Sequence, residues 1–112
     1  LAGPELGAVA LAAAASLASR LPFLIVRSRQ KDHGTARRLE GVFLPGQRAC
    51  LIEDVVTSGG AAVEAVAALR DAGLVCQVAV CVVDRQEGGA EALADQGVRL
   101  HALFTASDLM AA

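Results

Sequence analysis

At 112 residues the chain has room for one compact domain, and 54% hydrophobic against 20% charged residues exclude disorder as a global description. A formal charge of −2 and a pI near 5.6 leave no basic face for a nucleic-acid footprint. Mean hydropathy is high at +0.50, yet the longest apolar stretch, Ala8 to Ala18, is alanine-dominated, interrupted by Ser16 and too short to span a bilayer.

Leu1 to Gly3 reads as the tail of a strand whose beginning is missing, with no basic leader ahead of it. Pro4 and Glu5 open a helical run from Leu6 to Ser19, which Pro22 stops. Phe23 to Val26 is a short strand buried on both faces. From Arg27 to Gly41 the pattern becomes polar and cationic, with Gly34 inside, and reads as one long loop. Ala49 to Ile52 is the next strand; it ends in Glu53-Asp54, and Thr57-Ser58-Gly59-Gly60 leads into a helix. Ala62, Val66 and Leu69 share one face of that helix, and Gly73 is its stop. Val75 to Val83 is a further strand, closed by Asp84-Arg85. Gly88-Gly89 precedes a short helix through Ala94, Gly97 turns the chain, Val98 to Phe104 is the last strand, and Ser107 to Met110 a terminal helix. The alternation specifies an α/β domain: a parallel sheet with flanking helices. Cys50, Cys76 and Cys81 each sit in an apolar run without a C-x-x-C pair, as buried reduced thiols do in a cytosolic protein.

Ligands of open parallel sheets bind beyond the carboxyl ends of the strands. Gly3, Arg27, Glu53-Asp54 and Asp84-Arg85 all fall at such ends. The strongest local signal runs from Leu51 to Gly60. The free N–H groups of its turn suit a phosphate, Gly59 and Gly60 admit close approach, and Thr57 and Ser58 add hydroxyl donors. Glu53 and Asp54 repel that phosphate but accept bonds from vicinal sugar hydroxyls, or help hold a hydrated Mg²⁺. The bland alternative is an ordinary strand-to-helix turn with a capping residue. Walker A and Rossmann glycine patterns are absent. Lys31, the only lysine, lies among Arg27, Arg29, Asp32 and His33, a set able to fold over a pyrophosphate; a solvated charged loop is the plain alternative. His101 lies within the last strand and reads as structural.

Glu53-Asp54 followed by Val-Val-Thr-Ser-Gly-Gly resembles the PRPP-binding motif of type I phosphoribosyltransferases. Arg27-Ser28-Arg29-Gln30-Lys31-Asp32-His33-Gly34 resembles the mobile catalytic loop of orotate phosphoribosyltransferase. Asp84-Arg85-Gln86-Glu87-Gly88-Gly89 and Gly97-Val98-Arg99-Leu100-His101 are similar to the same family, including the domain fused into UMP synthases. The resemblance spans essentially the whole chain. It implies a single phosphoribosyltransferase domain over residues 1–112, with 27–41 as mobile loop and the first strand cut short. It also implies Mg²⁺-dependent transfer of ribose 5-phosphate from PRPP to orotate in UMP biosynthesis, by a cytoplasmic homodimer whose loops serve the partner's site.

By position, the resemblance makes Lys31, Asp32, His33 and Asp54 catalytic. PRPP binding falls to Arg27, Lys31, His33, Glu53, Asp54, Val55, Val56, Thr57, Ser58, Gly59, Gly60, Ala61 and Ala62, and orotate binding to Thr57 and Arg85. Mg²⁺ would be held mainly by PRPP, with Glu53 and Asp54 as the protein groups nearest to it. Three departures from the family pattern stand out. Ser28 replaces a lysine common after the loop's first arginine, the turn Gly3 to Ala8 lacks the lysine some members carry, and most of the N-terminal hood is missing. The expectation is a shortened homologue with weak activity alone. The alternatives are another PRPP-dependent transferase or a non-catalytic PRPP-binding regulatory module.

Overall fold

A computed structural model describes residues 1–28 and 38–111. In chain order the elements are β1 (Ala2–Pro4), α1 (Gly7–Ser19), β2 (Leu24–Val26), β3 (Leu39–Glu40), β4 (Arg48–Val56), α2 (Gly60–Asp71), β5 (Val75–Asp84), α3 (Gly89–Asp95), β6 (Arg99–Thr105) and α4 (Ala106–Ala111). Among the described residues they form a six-stranded sheet of order β3-β2-β1-β4-β5-β6. All neighbours are parallel except β2 and β3, which run antiparallel.

This order determines where the helices lie. The chain winds outward from β1 to β2 in one direction and from β4 through β5 to β6 in the other. Right-handed crossovers therefore place α1 on one face of the sheet and α2 and α3 on the opposite face. The strand order reverses between β1 and β4, and the crevice beyond their carboxyl ends is where such sheets take ligands.

The α2 face carries the main core. Leu51, Val66, Leu69, Leu93 and Val98 are fully buried there, with the stripe Ala62, Val66 and Leu69 turned inward as the periodicity requires. On the other face α1 lies unusually close to the sheet. A Cβ on Gly3 would stand 2.7 Å from both the Ala12 Cβ and the Ala8 carbonyl oxygen, so only glycine allows that approach. The run of alanines in α1 serves the same close packing, with Ala8 and Ala12 buried. Arg20 ends the helix in a left-handed conformation (φ 62), two residues before Pro22.

Two expectations about the elements need correction. The polar stretch 27–41 is not all loop, because Leu39–Glu40 pairs with Val26 and Ile25 as a short antiparallel edge. A two-residue strand buries one side chain, Leu39, and so carries no readable period. The strand expected over Ala49–Ile52 runs on to Val56, so Glu53 and Asp54 lie inside β4 rather than beyond it.

Candidate functional site

Placing the two carboxylates within a strand separates them, because successive strand side chains face opposite sides. Glu53 shares its face with Leu51 and the α2 core and is 7% exposed. Asp54 points to the α1 side, where a Cβ built on Gly7, the first residue of α1, would overlap its carboxylate. Burial raises the Glu53 carboxyl to a pKa of about 7, and the neighbouring Asp54 charge adds to the rise. Near neutrality Glu53 is thus able to donate a hydrogen bond as well as accept one.

Beyond β4 the chain turns through Thr57, Ser58 and Gly59 into α2. Gly59 adopts φ +93, and a Cβ there would meet the Gly89 Cα at 3.0 Å. Its glycine is therefore required by the backbone and by α3 packing. Gly60 faces open space, with only the Ser58 hydroxyl 3.9 Å from its hypothetical Cβ, which leaves its amide approachable. Glu53, Val55, Val56, Thr57, Gly59, Ala61 and Ala62 line one cavity of about 30 Å³ at this turn. These are expected site residues brought together around the first turn of α2, whose N–H groups have no intrahelical acceptors. Thr57 and Ser58 are exposed, as hydroxyl donors to a ligand need to be.

The next strand end is tied directly to this turn. The Arg85 N–H donates to the Val56 carbonyl oxygen at 3.0 Å. The Arg85 Nε pairs with Glu87 Oε2 at 2.9 Å, and among the described residues no ion pair engages its two terminal guanidinium nitrogens, the fork that matches a carboxylate. Asp84 is buried and accepts the Gln86 N–H at Oδ1, 2.9 Å.

On the β1 side, the turn from Pro4 to Gly7 includes a cis Glu5–Leu6 peptide. Glu5, to which sequence reasoning assigned no role in the site, faces the loop root. Its Oε2 accepts the Ser28 N–H at 3.1 Å and the Ser28 hydroxyl at 2.9 Å. These bonds, with the nearby Arg27 guanidinium, hold the Glu5 carboxyl below the usual carboxylate range. Arg27 itself donates to Glu40 Oε1 at 3.2 Å and lies 3.9 Å from Glu5 Oε1. The two departures noted in the sequence, a turn without lysine and Ser28 at the loop root, thus meet each other. No local signal marks a contact between residues 23 apart.

Lys31, Asp32 and His33 lie outside the described residues. His101 is exposed on β6, and an open cavity of about 640 Å³ beside it, lined also by Gln77 and Arg99, holds none of the expected site residues. Cys76 and Cys81 are buried as expected, whereas Cys50 is only half-buried; burial pushes all three thiols up, Cys81 to about 11. Among the described residues no group of three or more His, Cys, Asp and Glu could hold a metal, and Glu53 and Asp54 diverge. Placed on opposite sides of β4, those two carboxylates do not converge into a protein-made cage for a divalent cation. No helix of the described residues is long and apolar enough to cross a membrane.

Comparison with known proteins agrees with this fold, although no protein-family model matches the chain. The fold is that of the type I phosphoribosyltransferases: the chain superposes on orotate phosphoribosyltransferase from Aeropyrum pernix with a TM-score of 0.87 and 35% identity, covering 95% of this chain and 59% of that one. More narrowly, its sequence is similar to that of orotate phosphoribosyltransferases. It is 50% identical over 110 residues to the Halobacterium salinarum protein of that name, 98% of this chain and 63% of the relative. A Mycobacterium tuberculosis orotate phosphoribosyltransferase in complex with PRPP is also similar, with a TM-score of 0.79 and 33% identity over 96% of this chain and 63% of that one. The chain spans about three-fifths of the length of the curated relatives it matches.

Proposed function

We propose that the protein transfers the ribose 5-phosphate group of PRPP to orotate, forming orotidine 5′-phosphate and pyrophosphate in pyrimidine nucleotide biosynthesis. The observation that carries this proposal is the Arg85-to-Val56 hydrogen bond. It joins the end of β5 to the turn between β4 and α2, so that Arg85 follows directly beside the cavity lined by Glu53, Thr57 and Gly59. In this reading the amides of Thr57 to Ala62 hold the 5-phosphate. Glu53 and Asp54 take the ribose hydroxyls from the two sides of β4, and Thr57 and Arg85 receive orotate, the guanidinium matching its carboxylate. Arg27, Lys31 and His33 meet the pyrophosphate, with Asp32 in the same loop. As orotate's ring nitrogen displaces pyrophosphate, the ribose becomes oxocarbenium-like while charge builds on the leaving group. Mg²⁺, when bound with PRPP, supplies further neutralisation of that leaving charge.

The proposal extends to residues 1–112 as one phosphoribosyltransferase domain, to a catalytic loop between β2 and β3, to a homodimer with shared sites and to a cytoplasmic location. The relatives' names and the PRPP complex support the substrates. The test is titration with PRPP and Mg²⁺, followed by orotate addition and detection of orotidine 5′-phosphate. Binding of PRPP, turnover with orotate, and loss of orotate use in Arg85→Met are expected. Faster reaction with adenine or hypoxanthine, or no binding of PRPP, would overturn the assignment.

A further inference from the structure

Gln86 occupies a left-handed conformation (φ 59), which is uncommon for a residue with a side chain and persists where surrounding bonds over-determine it. Those bonds are present. Its N–H is held by Asp84 Oδ1 at 2.9 Å. Its side-chain Oε1 accepts two bonds from Ser107, from the backbone N–H at 3.0 Å and from the hydroxyl at 2.6 Å. Ser107 lies in the first turn of α4, and that turn is itself fixed. Asp108 Oδ2 accepts the Thr105 N–H at 2.9 Å while the Asp108 N–H donates to Thr105 Oγ1 at 3.1 Å, a reciprocal capping box. The backbone of Arg85 is therefore anchored on one side to Val56 and on the other, through Gln86, to α4.

We infer that Gln86 is a positioning residue. Acting through Ser107, it fixes the direction in which Arg85 presents its guanidinium fork and so sets the affinity for a planar carboxylate-bearing base. This inference rests on the proposed orotate site and adds α4 to the elements that determine base selectivity. With the side-chain tie removed, residue 86 is free to relax toward a right-handed conformation, and the peptide that aims Arg85 turns with it. The phosphate turn depends on it less, since the Arg85 N–H to Val56 bond precedes the peptide that turns and the contacts with α3 run through Gly59 and Gly89.

The test compares the unsubstituted chain with Gln86→Met, Ser107→Ala and the double variant. Dissociation constants for orotate and for ribose 5-phosphate are measured by calorimetry. Gln86→Met is expected to weaken orotate binding by about tenfold, as loss of pre-organisation at a bidentate site does, with ribose 5-phosphate binding unchanged. Ser107→Ala should weaken orotate binding less, and the double variant should be no weaker than Gln86→Met, because both act through one contact. Unchanged orotate binding in Gln86→Met overturns the inference. So do additive losses, which would place the Gln86 amide on the substrate itself, and so does parallel loss of ribose 5-phosphate binding. Failure of the orotate assignment would show instead in the unsubstituted chain, as ribose 5-phosphate binding without orotate binding.

Discussion

Replacing Glu53 by glutamine should stabilise the folded chain above neutral pH while damaging sugar binding. The Glu53 carboxyl, raised by burial from 4.5 to about 7, holds more protons when folded than when unfolded between those values. Stability must therefore fall as pH rises through that window, the reverse of an ion-paired carboxylate. At 1.36 kcal/mol per unit, the full shift corresponds to about 3 kcal/mol, of which about 2 kcal/mol develops between pH 5 and pH 8. Glu53→Gln removes the titration and keeps the shape. Urea unfolding of both proteins at pH 5, 6, 7 and 8 should show the variant gaining on the unsubstituted chain by about 2 kcal/mol across the series. Ribose 5-phosphate affinity should fall in the same variant. A constant stability difference over that pH range would refute the argument, because Glu53 would then carry no shifted proton.

Three further outcomes follow from the packing. Gly7→Ala should cost about 1–3 kcal/mol by forcing the Asp54 carboxylate aside, and the loss should shrink when Asp54→Ala vacates the space, as read by thermal melts of the single and double variants. Gly59→Ala, at φ +93 and 3.0 Å from the Gly89 Cα, should cost a similar amount; ribose 5-phosphate binding should disappear with it in calorimetry. Thr105→Ala removes one half of the α4 capping box and should lower local stability by about 1 kcal/mol, measured as faster amide exchange at Asp108.

The mostly parallel α/β class and the α2 stripe were legible because each is a repeating pattern carried by many residues; the order of the strands was not. The turn at Thr57 to Gly60 and the Asp84-Arg85 corner were visible for the same reason: polar residues interrupt otherwise apolar strands. The extent of β4 was misjudged because buried strands normally read as unbroken apolar runs, and two carboxylates inside one violate that rule at the site itself. The partners of Glu5 and Gln86 were not readable at all. Their contacts join residues 23 and 21 positions apart, and nothing in the local composition encodes them.

The junction between β1 and β4 has one registered pair, Ala2 with Leu51, while β4 and β5 match along most of their length. Backbone pairing is therefore thinnest where the strand order reverses, and side chains bridge the gap instead: one buried cluster runs from Leu24, Val26 and Leu39 across to Leu69, Leu93 and Val98, and Asp54 of β4 packs against Gly7 of α1. Loosening that cluster should open the sheet at this junction before it disturbs the long β4–β5 ladder.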